Sequence, residues 1–185
     1  MEDRITRRNS GWTLIELCIV LAVLGVLVAF GIGSLNGARH AANGSAARTG
    51  LLASLVQARN AAALREQDVV LCPSADQQSC AATHHWERGW IVFVDYDDNR
   101  ARGPDEPLVH GHRALASGIG LVTSSGRRSL DFQPNGGNAG SNATFTLCDG
   151  RGPARATAFA MSNAGGLRSV KPSATAVVDA CGLGG

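Results

Sequence analysis

The sequence predicts an α+β protein: a long N-terminal helix followed by an antiparallel β-sheet head. Three observations carry that prediction. No charged residue appears from Leu17 to Ala38, and helix-compatible, alanine-rich sequence without proline continues to Glu66. Beyond Glu66, short runs of β-branched and aromatic residues alternate with glycine-rich turns.

The run Leu17–Phe30 is as apolar as a bilayer interior. About 20 such residues cross the roughly 30 Å hydrocarbon layer as a helix. Arg4, Arg7 and Arg8 precede it, so the positive-inside rule keeps the N-terminus in the cytoplasm and exports everything after Arg39. A secretory signal peptide would have a shorter apolar stretch and a small-residue cleavage site beyond it. A twin-arginine signal is hinted at by Thr6-Arg7-Arg8, but Asn9-Ser10-Gly11 lacks the hydrophobic residues expected next. A plain single-pass anchor fits the same composition.

Cysteine usage bears independently on the compartment. Cys18 lies in the apolar run and reads as a small hydrophobe. Cys72, Cys80, Cys148 and Cys181 form an even set in the rest of the chain, as pairing in an oxidising compartment requires. Zinc is the competing reading, but none of the four shows Cys-x-x-Cys or Cys/His spacing.

Glu16 is the discriminating residue of the N-terminal segment. A carboxylate within an apolar helix costs up to about 2.5–3.5 kcal/mol at the bilayer centre and less at its edge, so it needs a partner. Cleavage after Gly11 would leave Trp12 with a free α-amine one helical turn from Glu16. That amine would be free to pair with a neighbouring subunit's carboxylate and remove both penalties.

The run Gly11-Trp12-Thr13-Leu14-Ile15-Glu16-Leu17 resembles the prepilin cleavage and methylation motif of type IV pilins and type II secretion pseudopilins. The resemblance implies removal of residues 1–11 by a prepilin peptidase and methyltransferase, N-methylation of Trp12, and guidance of assembly by Glu16. Trp12 replaces the family's usual phenylalanine and keeps its aromatic character. Gly33 stands where the family often has proline. Gly25, Gly31 and Gly33 allow local helix melting, since each weakens a helix interior by about 1 kcal/mol relative to alanine. Residues 12–38 are then the transmembrane half of the helix.

Residues 39–66 form its amphipathic half. Leu51, Leu52, Leu55, Val56, Ala58, Ala62 and Ala63 recur at helical spacing, with Arg48, Arg59 and Arg65 on a solvated side. Residues 67–185 form the β-rich head. Strands are predicted at Val69–Cys72, Gly89–Asp95, Pro107–His110, Ile119–Thr123, Ser129–Gln133, Ala143–Cys148, Thr157–Ser162 and Ser169–Lys171. Leu55-Val56-Gln57-Ala58-Arg59-Asn60-Ala61, Trp86-x-x-Gly89-Trp90-x-Val92-Phe93-x-Asp95 and Phe132-x-Pro134-Asn135-Gly136 resemble the GspH/FimT group of minor pilins and pseudopilins. The resemblance covers nearly the whole chain and implies a long helix followed by two antiparallel sheets.

The favoured disulfides are Cys72–Cys80, closing a short loop after a strand, and Cys148–Cys181, tying the last residues to a central strand. Three connectivities remain open to the sequence.

Other residues invite a chemical reading. Asp95-Tyr96-Asp97-Asp98-Asn99, with Glu106, matches acidic positions of a calcium loop, but Arg100 stands where an EF-hand needs glycine. A solvated acidic turn is the favoured reading. His84, His85, His110 and His112 form two close pairs; as loop histidines without a strand-fixed co-ligand, they are read as unpaired, and no metal or cofactor is expected. No spacing ties a nucleophile to a base, so no enzyme is expected.

Some FimT-type pilins bind DNA through Gly-Arg-x-Arg. The matching stretch here, Gly165-Gly166-Leu167-Arg168, keeps only Arg168, with Lys171 nearby and Arg127, Arg128, Arg151 and Arg155 elsewhere. The net charge of +2, with 16 of 17 basic residues arginine, does not argue for nucleic acid by itself. The sequence therefore reads as a minor pilin or pseudopilin subunit of a type II secretion pseudopilus or type IV pilus. Its partners would be other pilins, and its location the inner membrane with a periplasmic head. The alternatives are a DNA-binding minor pilin for natural transformation and a non-polymerising anchored protein.

Overall fold

The computed structural model describes residues 11–138 and 140–183, without the side chains of residues 29–34. Residues 1–10 of the expected leader, and the side-chain surroundings of Gly31 and Gly33, lie outside it. The chain divides into two units, residues 1–38 and 39–185.

Helix α1 covers Leu14–Arg65. Thr13 stands at its N-cap position: the Thr13 hydroxyl accepts the Glu16 backbone N–H at 3.3 Å. Thr13-Leu14-Ile15-Glu16 thus has the spacing of a capping box, and the acidic side chain favours the helix's positive end. The helix stops where Glu66 adopts φ 53, a left-handed conformation that ends the α ladder. In the first unit, Trp12, Leu14, Ile15, Leu17, Ile19, Leu21, Leu24 and Leu27 are all exposed. Among the described residues no helix is long and apolar enough to cross a membrane; the expected span includes residues 29–34.

Within the second unit, two antiparallel sheets follow the helix. Strands β1 (Asp68–Pro73), β2 (Trp90–Asp95), β3 (Leu108–His112) and β5 (Leu130–Phe132) make the first, in the order β3-β2-β1-β5. Strands β4 (Gly120–Thr123), β6 (Ala143–Cys148), β7 (Thr157–Met161) and β8 (Leu167–Val170) make the second, in the order β4-β6-β7-β8. A 3-10 turn at Pro153–Arg155 precedes β7.

Strand alternation sorts the core. Val69, Leu71, Val92, Val94, Leu130 and Phe132 of the first sheet share one cluster with Phe145, Leu147 and Phe159 of the second and with Leu51, Leu55, Ala58 and Ala62 of α1. Fully buried Trp86 and Trp90 join it. Trp90 donates its indole N–H to the Ser54 hydroxyl at 2.8 Å, so the polar edge of a buried aromatic is satisfied by the helix it packs on.

The strands β1 and β2 of the first sheet and β4 and β6 of the second also bury residues on their other faces, which is why β2 has no exposed residue. Val70, Cys72, Ile91 and Phe93 cluster with Cys80. Val122, Cys148 and Ala180 cluster with Cys181 and Leu183. Disulfides Cys72–Cys80 and Cys148–Cys181 each sit in one of these outer clusters.

The second outer face is covered by helix α2, Ala174–Leu183, which packs on β4 and β6. The sequence predicts no helix here, only a tail held by its cysteine. A signal is present nonetheless: the Ser173 hydroxyl accepts the Ala176 N–H at 3.3 Å, as an N-cap serine does. The α2–β4 fit is tight, because a Cβ on Gly120 would run into the carbonyl of Ala180. Gly120→Ala is expected to lower the unfolding free energy by about 1–3 kcal/mol in urea titrations. Gly182→Ala, whose Cβ would meet nothing within 4 Å, should not lower it.

Candidate functional site

The residues singled out by sequence fall in four places. Trp12 and Glu16 lie at the exposed start of α1, with Cys18 a free, exposed thiol. This segment exposes an apolar side chain at nearly every position through Val28. A helix apolar on all sides is stable only among other apolar surfaces.

The acidic loop follows β2. Buried Asp95 accepts the backbone N–H of Asn99 at 3.3 Å and of Arg100 at 2.9 Å. Buried Glu106 accepts those of Tyr96 at 2.8 Å and Gly103 at 2.7 Å. Asp97 accepts from the Asn99 backbone and side chain. Ligand oxygens of Asp95, Asp97 and Glu106 lie within 4.8 Å of one another, yet these contacts are with the loop's own backbone. They hold a turn in which Asp98 and Arg100 take positive φ, 58 and 61.

The four histidines part company. His112 stacks on Trp90 at 4.1 Å, its Nδ1 2.7 Å from the Arg113 carbonyl. Burial and the neighbouring His112 push the His110 imidazole below its ordinary pKa. His84 and His85 instead meet Asp179 of α2, at 2.8 Å and 3.4 Å. Sequence reasoning missed Asp179, which lies 95 positions from His84.

Arg168 is exposed on β8, the outermost strand of its sheet, and Lys171 follows that strand. Arg168 helps line an open groove of about 560 Å³ with Ser124, Asn142, Thr144 and Asn163. Arg127 bonds to Asn142 of that groove at 3.0 Å. Arg151 is held by buried Asp149 at 2.7 Å, which lowers the Asp149 pKa chiefly through that hydrogen bond.

Asp131 on β5 is a further buried acid that no sequence motif marked. One oxygen lies 2.9 Å from Arg100 Nε and accepts from Ser141; Oδ1 has no partner. Burial raises its pKa, against the pull of Arg100 and Ser141. Burial raises Asp95 and Asp68 as well. An acid whose folded pKa is raised holds a proton that the unfolded chain has released. These groups therefore favour the fold in acid, and their contribution falls as pH rises from the ordinary carboxylate value through the raised one. Asp131→Asn should flatten that fall above about pH 4, read as urea midpoints across a pH series, and should not destabilise at neutral pH. A clear loss at neutral pH would show that the Arg100 pair outweighs desolvation.

Residues 47–165 match the family described as "Type II transport protein GspH". No curated protein matches the chain by sequence. Among solved structures, the chain resembles the type IV minor pilin FimU of Pseudomonas aeruginosa strain PAO1 in two crystal forms. One aligns with TM-score 0.54 and 19% identity over 69% of this chain and 87% of that one. The other aligns with TM-score 0.53 and 19% identity over 69% and 92%. The minor pseudopilin EpsH of the Vibrio cholerae type 2 secretion system aligns with TM-score 0.48 and 16% identity over 71% and 98%. The likeness to FimU is one of fold, a long helix followed by antiparallel sheets. With the family match extending over most of the chain, this protein belongs to the GspH family of type II transport proteins.

Proposed function

We propose that the chain is a minor pilin or pseudopilin: a non-enzymatic subunit built into a type IV pilus or type II secretion pseudopilus. The observation that carries this is the start of α1, where Glu16 opens a helix whose apolar side chains are exposed all round through Val28. Such a surface suits lipid before assembly and neighbouring subunits' helices after it. In this reading a prepilin peptidase cuts between Gly11 and Trp12 and the new amine is methylated. The segment 12–38 waits in the inner membrane with the head in the periplasm, where disulfides persist.

Mass spectrometry of the chain from its native host tests this. The expected N-terminus is N-methylated Trp12; an intact Met1 leader would leave a plain single-pass anchor. DNA reception is the second reading, favoured by Arg168 in the groove beside β8. It requires head–DNA binding that weakens with salt and is lost on Arg168→Ala with Lys171→Ala.

A further inference from the structure

We propose that His84, His85 and Asp179 form a binding site for one divalent transition-metal ion, zinc foremost. The histidines are not free loop residues. The His84 carbonyl accepts the Thr123 N–H at 2.9 Å, His85 bridges to Val122, and Trp86 donates its N–H to the Leu121 carbonyl at 2.8 Å. The segment therefore runs as an extra edge along β4, with buried Trp86 anchoring its end.

The third donor is held equally well. Asp179 sits on α2, two residues before Cys181, whose disulfide to Cys148 ties the helix to β6. Two carboxylate oxygens face two different imidazoles: Oδ2 is 2.8 Å from His84 Nε2 and Oδ1 is 3.4 Å from His85 Nε2. The rings lie edge to face with centroids 4.3 Å apart, so two adjacent residues bring their imidazoles to one carboxylate.

One ligand atom from each residue falls within 4.8 Å of the others. Donors about 2.0–2.1 Å from a tetrahedral zinc stand about 3.3 Å from each other, so small side-chain rotations would seat the ion. Two imidazoles and a carboxylate suit zinc, with nickel or copper as competitors, and disfavour calcium and magnesium. The side chains are 35%, 31% and 38% exposed, which leaves a water access to the fourth position. A bound ion would clip α2 to the edge of the second sheet at a place the disulfide does not reach. Hydrogen bonding alone would produce the same contacts; the two readings differ in whether the cluster takes up an ion.

The test uses the full chain in detergent with its disulfides intact, stripped by chelator and titrated with zinc in a calorimeter. One equivalent should bind saturably. His84→Ala, His85→Ala and Asp179→Asn should each weaken binding at least about tenfold, and His110→Ala should not. Cobalt in place of zinc should give tetrahedral visible bands without a thiolate charge-transfer band, which reads the donors in the unsubstituted chain even where a variant folds poorly. Absence of saturable uptake, uptake indifferent to the three substitutions, or a thiolate band pointing to Cys18 would each overturn the site.

Discussion

Glu16→Gln subunits are expected to enter filaments at least about tenfold less than the parent, although their helix still starts in the same place. Glutamine keeps the shape and serves the capping box as glutamate does; only the charge is lost. Tenfold corresponds to about 1.4 kcal/mol, within the cost of an unpaired charge near the edge of a hydrocarbon layer. Thr13→Ala is the complementary variant. It removes the hydroxyl that accepts the Glu16 N–H at 3.3 Å, weakening the helix start by about 0.5–2 kcal/mol while leaving the carboxylate. Filament and membrane fractions quantified for both variants separate the two roles. If Glu16→Gln enters filaments as readily as the parent while Thr13→Ala does not, capping explains Glu16 and the ion pair is unnecessary.

Removing Cys148–Cys181 should destabilise the head more than removing Cys72–Cys80. The bond joins residues 33 apart, for which the chain-entropy relation gives about 3–4 kcal/mol. The expected fall in melting temperature is about 10 °C. The loss should be focused: α2 would leave the outer face of the second sheet and uncover Val122 and Ala180. Hydrogen exchange should then be fast through α2 while β1 and β2 stay protected. Cys72–Cys80, with separation 8, should cost less, about 2.5 kcal/mol by the same relation. Retained α2 protection in the Cys148→Ala, Cys181→Ala variant would mean that packing on β4 and β6 suffices without the bond.

Much of this architecture is legible in the order of residues alone. Each of the eight strands coincides with a predicted apolar or β-branched run to within a few residues. Strand β1 is the predicted Val69–Cys72 with one residue added at each end, and β6 keeps the predicted bounds Ala143–Cys148. Strands β1 and β2 are visible because both faces are buried, so nearly every side chain is apolar. Helix α1 is visible through composition, and its observed end at Arg65 lies within one residue of the expected one.

Helix α2 is not visible in this way. Ten residues make a helix too short to persist alone, and Thr175, Val177 and Val178 carry β-branched side chains that disfavour it. It forms because β4 and β6 offer an apolar face to cover. Asp179 escapes assignment for the same reason: nothing local relates it to His84.

Local chemistry alone thus determined the class of the chain. Apolar runs dictate what must be covered, and Gly11–Glu16 carries its resemblance to a processing signal without reference to distant residues. What the tertiary structure decided is which surface covers which: the loop at Cys80 over one sheet, α2 over the other, Asp179 against two histidines. Such choices depend on contacts between residues far apart in sequence, whose geometry is set by the cooperative packing of both sheets and leaves no periodic trace along the chain.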